Sequence, residues 1–294
     1  MEPEGAGLVI VDKPAGMTSH DVVSRCRRAM KTRRVGHAGT LDPMATGVLI
    51  VGIERATKLL GHLALTTKAY DATIRLGAAT TTDDAEGGVV SSASAAGVDE
   101  AAVLAGVAEL TGDIAQRPSS VSAIKVDGKR AHQLVREGVE VDLPARPVTV
   151  SEFTVSAFRR AGAFLDVDVS VECSSGTYVR ALARDLGAGL GVGGHLTALR
   201  RTRVGPYDLS HAVTLESLAE SPRLSYGIDD AVAAGFRVRP VTADQAVDLS
   251  LGRWLEPVGI DGVYAAVDTD GRAIALLQES GRRAASVFVV RPAV

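Results

Sequence analysis

GHAGTLDPMATGVLIVG, residues 36–52, joins a glycine-rich polar turn to a short apolar run. Gly36 and Gly39 permit backbone conformations that other residues resist. Pro43 biases Asp42 away from helical dihedrals. The run 47–52 is too short for a helix and reads as a buried strand. Asp42 is thus presented at the mouth of a strand, where a carboxylate can attack carbon directly. The plain alternative is an Asx-turn or cap, a common use of Asp in a loop.

Working toward the N-terminus, residues 8–11 form a short apolar run ended by the turn Asp12-Lys13-Pro14-Ala15-Gly16. Thr18, Ser19 and Asp21 offer caps for a helix that places Val22, Cys26, Ala29 and Met30 on one face. Toward the C-terminus, KAYDATIRLG (68–77) and FLDVDVSVEC (164–173) alternate as strands. Residues 80–94 are polar, acidic and small, and read as an exposed loop. Residues 99–110 predict an amphipathic helix, and 117–147 look irregular. A helix opening at Gly176 sets Val179, Leu182, Ala183, Leu186 and Leu190 on one stripe, and the glycines of 187–194 end it. After Pro240, three short strands (263–267, 273–277 and 285–290) are joined by tight turns.

These elements predict an α+β fold, with a central mixed, mainly antiparallel β-sheet flanked by helices and loops. A small all-β module follows, and the boundary is set at 1–236 and 237–294. A hydrophobic fraction of 46% and a charged fraction of 23% are ordinary for a soluble globular protein. Cys26 and Cys173 have no ligand-spaced neighbours, so no zinc site is expected, and reduced cytosolic thiols are. The N-terminus lacks the basic and long apolar regions of a signal peptide. No apolar stretch reaches the ~18 residues of a membrane span. A cytoplasmic protein follows, with monomer as the simplest state.

The net charge of −3 does not announce a polyanion binder, so local clusters must carry that argument. Arg25, Arg27, Arg28, Lys31, Arg33 and Arg34 form one acid-poor run. Lys125, Lys129, Arg130 and Arg136 form a second, around Gly128, and Arg200, Arg201 and Arg203 a third. They predict phosphate contact, against the ordinary alternative of a solvated face. His20, His62, His132, His195 and His211 show no ligand spacing. Asp83, Asp84 and Glu86 lack the spacing of a calcium loop and read as solvated.

The stretches VDKPAGMTSHDVV (11–23) and RRVGHAGTLDPMATGVLIVGIERATK (33–58) resemble the bacterial TruB-type tRNA pseudouridine-55 synthases. The likeness continues through KAYDATIRLG, SAIKVDGKRAHQLVREG (122–138) and CSSGTYVRALARDLGAGLGVGGHLTALRRTRVG (173–205), covering most of residues 7–215. It implies a pseudouridine-synthase catalytic domain and a C-terminal module of the PUA type. It also implies roles. Asp42 matches the catalytic Asp. His37 matches a His that steadies the flipped nucleotide, and Tyr70 the Tyr that stacks on the base. Tyr178 lines the uridine pocket, Arg180 pairs with the catalytic Asp, and Leu199 is an apolar pocket wall. Lys13 and Pro14 match the pair that supports the active-site loop. The partner implied is tRNA, with no protein partner, cofactor or metal. One departure is Val121, where the family often has an aromatic residue.

On residues alone, Tyr70 on a strand is usually core, and Arg180 and Arg184, a turn apart, are usually solvated. Two other functions compete with the isomerase. One is a non-catalytic RNA-binding or RNA-folding protein. The other is an N-glycosidase, which needs a second carboxylate to activate water, and none lies near Asp42 in sequence.

Overall fold

The computed structural model describes residues 5–120 and 143–293, with backbone alone at 125–126 and 129–130. The chain runs β1 (Gly7–Lys13), α1 (Ser19–Ala29), β2 (Val35–Ala38), β3 (Thr46–Ile53), a 3₁₀ turn (Glu54–Lys58), α2 (Leu60–Leu63) and β4 (Lys68–Leu76). Next come β5 (Ala78–Thr80), β6 (Val89–Ser92), α3 (Glu100–Glu109), β7 (Gly112–Gln116), β8 (Lys125–Val126) and β9 (Lys129–Arg130). The long strands β10 (Arg146–Ala161) and β11 (Phe164–Cys173) lead to α4 (Val179–Gly189), β12 (Gly194–Val204) and β13 (Tyr207–Asp208). The remainder is α5 (Leu215–Glu220), β14 (Tyr226–Gly227), α6 (Ile228–Gly235), β15 (Val238–Pro240), α7 (Ala243–Ser250), β16 (Val263–Val267), β17 (Ala273–Ser280) and β18 (Arg283–Val289).

Two compact units result: Met1–Pro43 with Gly47–Leu65 and Arg203–Val294, and Met44–Thr46 with Thr66–Thr202. In the first, β1 lies antiparallel to β3 from Gly7↔Ile53 to Lys13↔Gly47. Leu8, Val9, Ile10 and Val11 are all buried, so both faces of β1 are covered and its sequence is continuously apolar. Thr18 and Asp21 form a capping box at the head of α1, which satisfies two otherwise orphaned amides. Val22, Val23 and Cys26 face inward. Burial pushes the Cys26 thiol up to about 11, so it is an inert core group.

The C-terminal strands of this unit pair in the order β15-β16-β17-β18, with β15 parallel to β16 and the rest antiparallel. The three expected strands are there. The module also holds α7, opened by a Thr242–Gln245 capping box that the strand-centred reading passes over. Leu249 of α7 packs with Tyr264, Ile274 and Leu277 in a core of its own. Arg291 forks onto Asp229 of α6 at 2.7 and 2.9 Å.

The second unit is the antiparallel ladder β4-β11-β10-β7, with β12 on the far side of β4. Period-2 alternation decides its faces. Tyr70, Ala72, Ile74 and Leu76 of β4 are buried, as are Val167, Val169 and Val171 of β11. On the opposite face Arg75, Thr73 and Asp71 stand across from Asp166, Asp168 and Ser170. Each of these facing pairs is joined by hydrogen bonds between its side chains. Arg159 adds a forked pair to Asp168. Helix α4 buries Val179, Leu182, Ala183 and Leu186 of the expected stripe, whereas Leu190 is its half-buried C-cap. Within its last turn Gly187 crosses Gly194. A Cβ on Gly187 would stand 2.1 Å from the Gly194 nitrogen, so only glycine permits this approach.

Two expectations change. Residues 36–43 are not all loop: Val35–Ala38 is a strand on β3, with His37 opposite Val51. Gly39 is the left-handed residue (φ +70), whereas a Cβ on Gly36 would press on the Leu60 side chain at 3.1 Å. Residues 80–94 are not simply exposed loop either. They include β6 paired to β5, and a turn that buries Asp84.

Candidate active site

In the first unit, the Asp42 loop is anchored on both sides of the aspartate. Lys13 is wholly buried at the end of β1. Its ammonium donates to the carbonyls of Pro14 at 2.8 Å, Met17 at 2.7 Å and Pro43 at 3.1 Å. A buried cation is costly unless its donors are used, and here three carbonyls take them. The Gly16 amide also donates to the Pro43 carbonyl at 2.8 Å. On the other flank, the buried Ser19 hydroxyl accepts the Leu41 N–H at 3.0 Å and donates to the Leu41 carbonyl at 3.2 Å. Asp42, half-buried, is the residue between these anchors. His37 is half-buried in β2, with its ring edge-on to His20 at 5.5 Å between centroids. Pro14 is exposed and contributes its carbonyl.

In the second unit, Tyr70 sits on the inner face of β4, opposite Val171. Tyr178 is the N-cap of α4. Its N–H donates to Gln116 Oε1 at 2.8 Å, and its carbonyl accepts from Gln116 Nε2 at 3.1 Å. Arg180 is buried two residues on. Its guanidinium donates to the Thr82 carbonyl at 2.7 Å and lies 3.6 Å from Asp84 Oδ2. Asp84 in turn accepts the Glu86 amide at 3.0 Å and the Thr82 hydroxyl. Leu199, buried on β12, lines a cavity of about 510 Å³ with Asp71, Thr73, Asp168 and Ser170.

The acidic turn is therefore structural. Asp84 is a buried counter-charge to Arg180, and Asp83, at φ +60, faces Arg184 at 3.4 Å. Burial pushes the Asp83 carboxyl above its ordinary value, against the pull of Arg184. Arg184 also pairs with Asp185 at 2.8 Å, so its guanidinium serves neighbouring acids. Of the three cationic runs, the first is exposed at Arg25, Arg28, Lys31, Arg33 and Arg34. The third is not a surface patch: Arg201 is 1% exposed, and Arg200 and Arg203 are half-buried. It alternates along β12, which turns every second residue inward. The side chains of the second run, together with Val121 and Gly128, lie outside the described residues.

Three family models match in succession. "TruB family pseudouridylate synthase (N terminal domain)" covers residues 27–179, "tRNA pseudouridylate synthase B C-terminal domain" 180–232, and "tRNA Pseudouridine synthase II, C terminal" 236–291. The chain belongs to the TruB family of pseudouridine synthases. The tRNA pseudouridine synthase B of Rhodococcus jostii is 70% identical over 98% of this chain and 95% of its own length. That of Nocardia farcinica is 65% identical over 99% and 95%. Among solved structures, a chain of a Cbf5-Nop10-Gar1 complex matches with a TM-score of 0.76 at 25% identity, covering 97% of this chain and 85% of that one. This TruB-family enzyme isomerises uridine to pseudouridine in tRNA.

Four residues that hold sequence-predicted residues in place are not evident as such in the sequence. Ser19 reads only as a helix cap, although its spacing from the Lys13-Pro14 turn sets it beside that loop. Asp83 and Asp84 lie in a segment whose composition suggests solvent, yet the need of Arg180 and Arg184 for counter-charge is a usable signal. Gln116, at the end of a strand, gives none.

Proposed function

We propose that Asp42 is the nucleophile of this synthase and that its target is uridine 55 in the T-arm loop of tRNA. The reading is carried by the anchoring of Leu41 and Pro43, which fixes the backbone on both sides of one half-buried carboxylate. Preorganised placement of this kind is worth several kcal/mol of barrier, roughly 7–11 in the best intramolecular cases.

The chemistry needs little else. The N1–C1′ bond breaks, the base turns, and C5 bonds to C1′. C5 gives up its proton and N1 takes one, so the composition is unchanged and no oxidant is consumed. The Asp42 carboxylate bonds to carbon transiently and leaves again. The nucleotide is first extruded from its stack at a cost of a few kcal/mol. Stacking on an aromatic face returns about 1–3 kcal/mol per base, and Tyr70 is assigned that role. Tyr178 and Leu199 line the uridine pocket, Arg180 is assigned to substrate binding, and His37 steadies the flipped nucleotide. Lys13 and Pro14 support the Asp42 loop. Recognition is of RNA shape and a loop base rather than a duplex groove.

Residues 1–236 form the catalytic domain and 237–294 a PUA-like RNA-binding module. In that module Arg283 lies over the exposed Trp254 ring at 5.1 Å, a pairing suited to a base or a phosphate. The protein works in the cytoplasm as a monomer. No helix among the described residues is long and apolar enough to cross a membrane.

Incubation of purified protein with an unmodified tRNA transcript tests the assignment. Wild type forms pseudouridine, and Asp42→Asn binds the RNA and forms none. Product from Asp42→Asn sinks the nucleophile, and free uracil from wild type favours a glycosidase.

A further inference from the structure

We propose that Ser19 is a positioning residue for the isomerisation, setting the Asp42 carboxylate through the backbone of Leu41. The inference rests on Asp42 being the reacting group.

Ser19 is 1% exposed, in the first turn of α1. Its hydroxyl does not cap that helix, because Thr18 does so in the capping box with Asp21. Instead it turns to a residue 22 positions away, taking the Leu41 N–H at 3.0 Å and giving its own proton to the Leu41 carbonyl at 3.2 Å. A hydroxyl can do both because it carries one donor and two lone pairs. The two bonds fix the peptide units on either side of Leu41. The Leu41 carbonyl belongs to the peptide that leads into Asp42, so the plane of that peptide, and hence the direction of the Asp42 Cα–Cβ bond, is set by Ser19.

The opposite flank is fixed differently. There Lys13 and Gly16 both converge on the carbonyl of Pro43. Gly39, at φ +70, lies just upstream and gives the loop conformational freedom that the Ser19 bonds remove. Without Ser19 the loop keeps its Pro43 anchor but can rotate the Leu41–Asp42 peptide. The same turn of α1 places His20 edge-on to His37, so it touches the loop at a second point. Displacement of a reacting group by about 1 Å costs up to about 100-fold in rate. Such a displacement lowers the rate of the chemical step and leaves the RNA-binding surface in place.

The test compares Ser19→Ala, Ser19→Thr and Ser19→Val in single-turnover pseudouridine formation and in tRNA binding, with Asp42→Asn alongside. Thr and Val have nearly the same shape, so the cost of the extra methyl is shared and the hydroxyl alone separates them. The expected result is a rate loss of at least about tenfold for Ser19→Ala and Ser19→Val. The dissociation constant for tRNA should stay within about twofold, and Ser19→Thr should run at least about fivefold faster than Ser19→Val. Equal rates for the Thr and Val variants, or a wild-type rate in Ser19→Ala, overturn the proposal. So does a loss confined to binding. If Asp42→Asn is inactive while Ser19→Ala is as fast as wild type, the inference on Ser19 fails and the assignment of Asp42 stands. If Asp42→Asn is active, the assignment itself has failed.

Discussion

The side-chain amide of Gln116 closes on both backbone groups of Tyr178, donating to its carbonyl and accepting its N–H. Gln116 is 2% exposed and ends β7, so one strand end holds the entry of α4. Tyr178 has no side-chain cap of its own, and the glutamine pairs the N–H of this N-cap residue from outside the helix. Gln116→Ala leaves a peptide N–H and a carbonyl without these partners. The expected loss is about 1–3 kcal/mol of stability in urea denaturation. Gln116→Glu keeps an acceptor for the N–H but sets a buried carboxyl against the carbonyl, and should be at least as destabilising as Ala at neutral pH. Equal stability of Gln116→Ala and wild type would contradict the assigned role.

The Arg180–Asp84 pair makes a separate prediction. Both side chains are about 95% buried or more, and their closest polar atoms are 3.6 Å apart. Removing Asp84 takes this counter-charge from the buried guanidinium, and loss of one member of a buried pair typically costs about 3–5 kcal/mol. Asp84→Ala should therefore destabilise the fold by about that much. A buried pair is screened little by ions. The deficit measured by thermal denaturation should be nearly the same in low salt and in about 1 M salt. A deficit that vanishes at high salt would mean that the pair is solvent-exposed.

Much of this organisation is legible in the chain, for physical reasons. The strand at 164–173 alternates because one face is core and the other a polar ladder. The helix at 100–109 begins one residue after Asp99, whose side chain takes the Ala102 amide and caps it. What is not legible depends on partners distant in sequence. The solvent-like composition of 80–94 hides Asp84, because its burial is set by Arg180, 96 residues on. Arg201 reads as one of a run of surface cations, yet its place on β12 turns it inward. Asp42 itself is visible, whereas the Ser19 anchor is masked by an equally good local explanation as a cap.

The exposed arginines of α1 should carry part of the affinity for tRNA. Arg25 and Arg28 lie on its solvent side. Removing one arginine–phosphate pairing lowers the slope of log K against log salt by about 0.7–0.9. The double variant Arg25→Ala/Arg28→Ala should flatten that slope by up to about 2 while leaving the single-turnover rate at saturating tRNA near wild type. An unchanged slope would remove this helix from the RNA-binding surface.

Lys68 gives a prediction in pH. It is 6% exposed on the inner face of β4, and its ammonium donates to the Thr66 carbonyl at 2.6 Å. Burial, with the nearby Arg201 charge, lowers its pKa from 10.5 to about 8. Between these values the unfolded chain holds a proton that the folded chain has released, so stability rises with pH across the window, by at most ~1.4 kcal/mol per unit. Below about 8 both states are protonated and the full penalty of the buried charge applies. Cys26 and Cys173 act oppositely, since burial raises both thiols from 9.0 to about 11 and stability falls as pH passes through that range. The two thiols are common to wild type and to a variant at Lys68, so their contribution cancels in the comparison, and the interval from pH 8 to 9 reports the lysine. Lys68→Met removes the penalty. Its stability relative to wild type should be greatest below pH 8 and shrink as the pH rises from 8 to 9, as measured by urea denaturation at fixed ionic strength. A difference that stays constant over that interval would mean that Lys68 keeps an ordinary lysine titration in the folded protein.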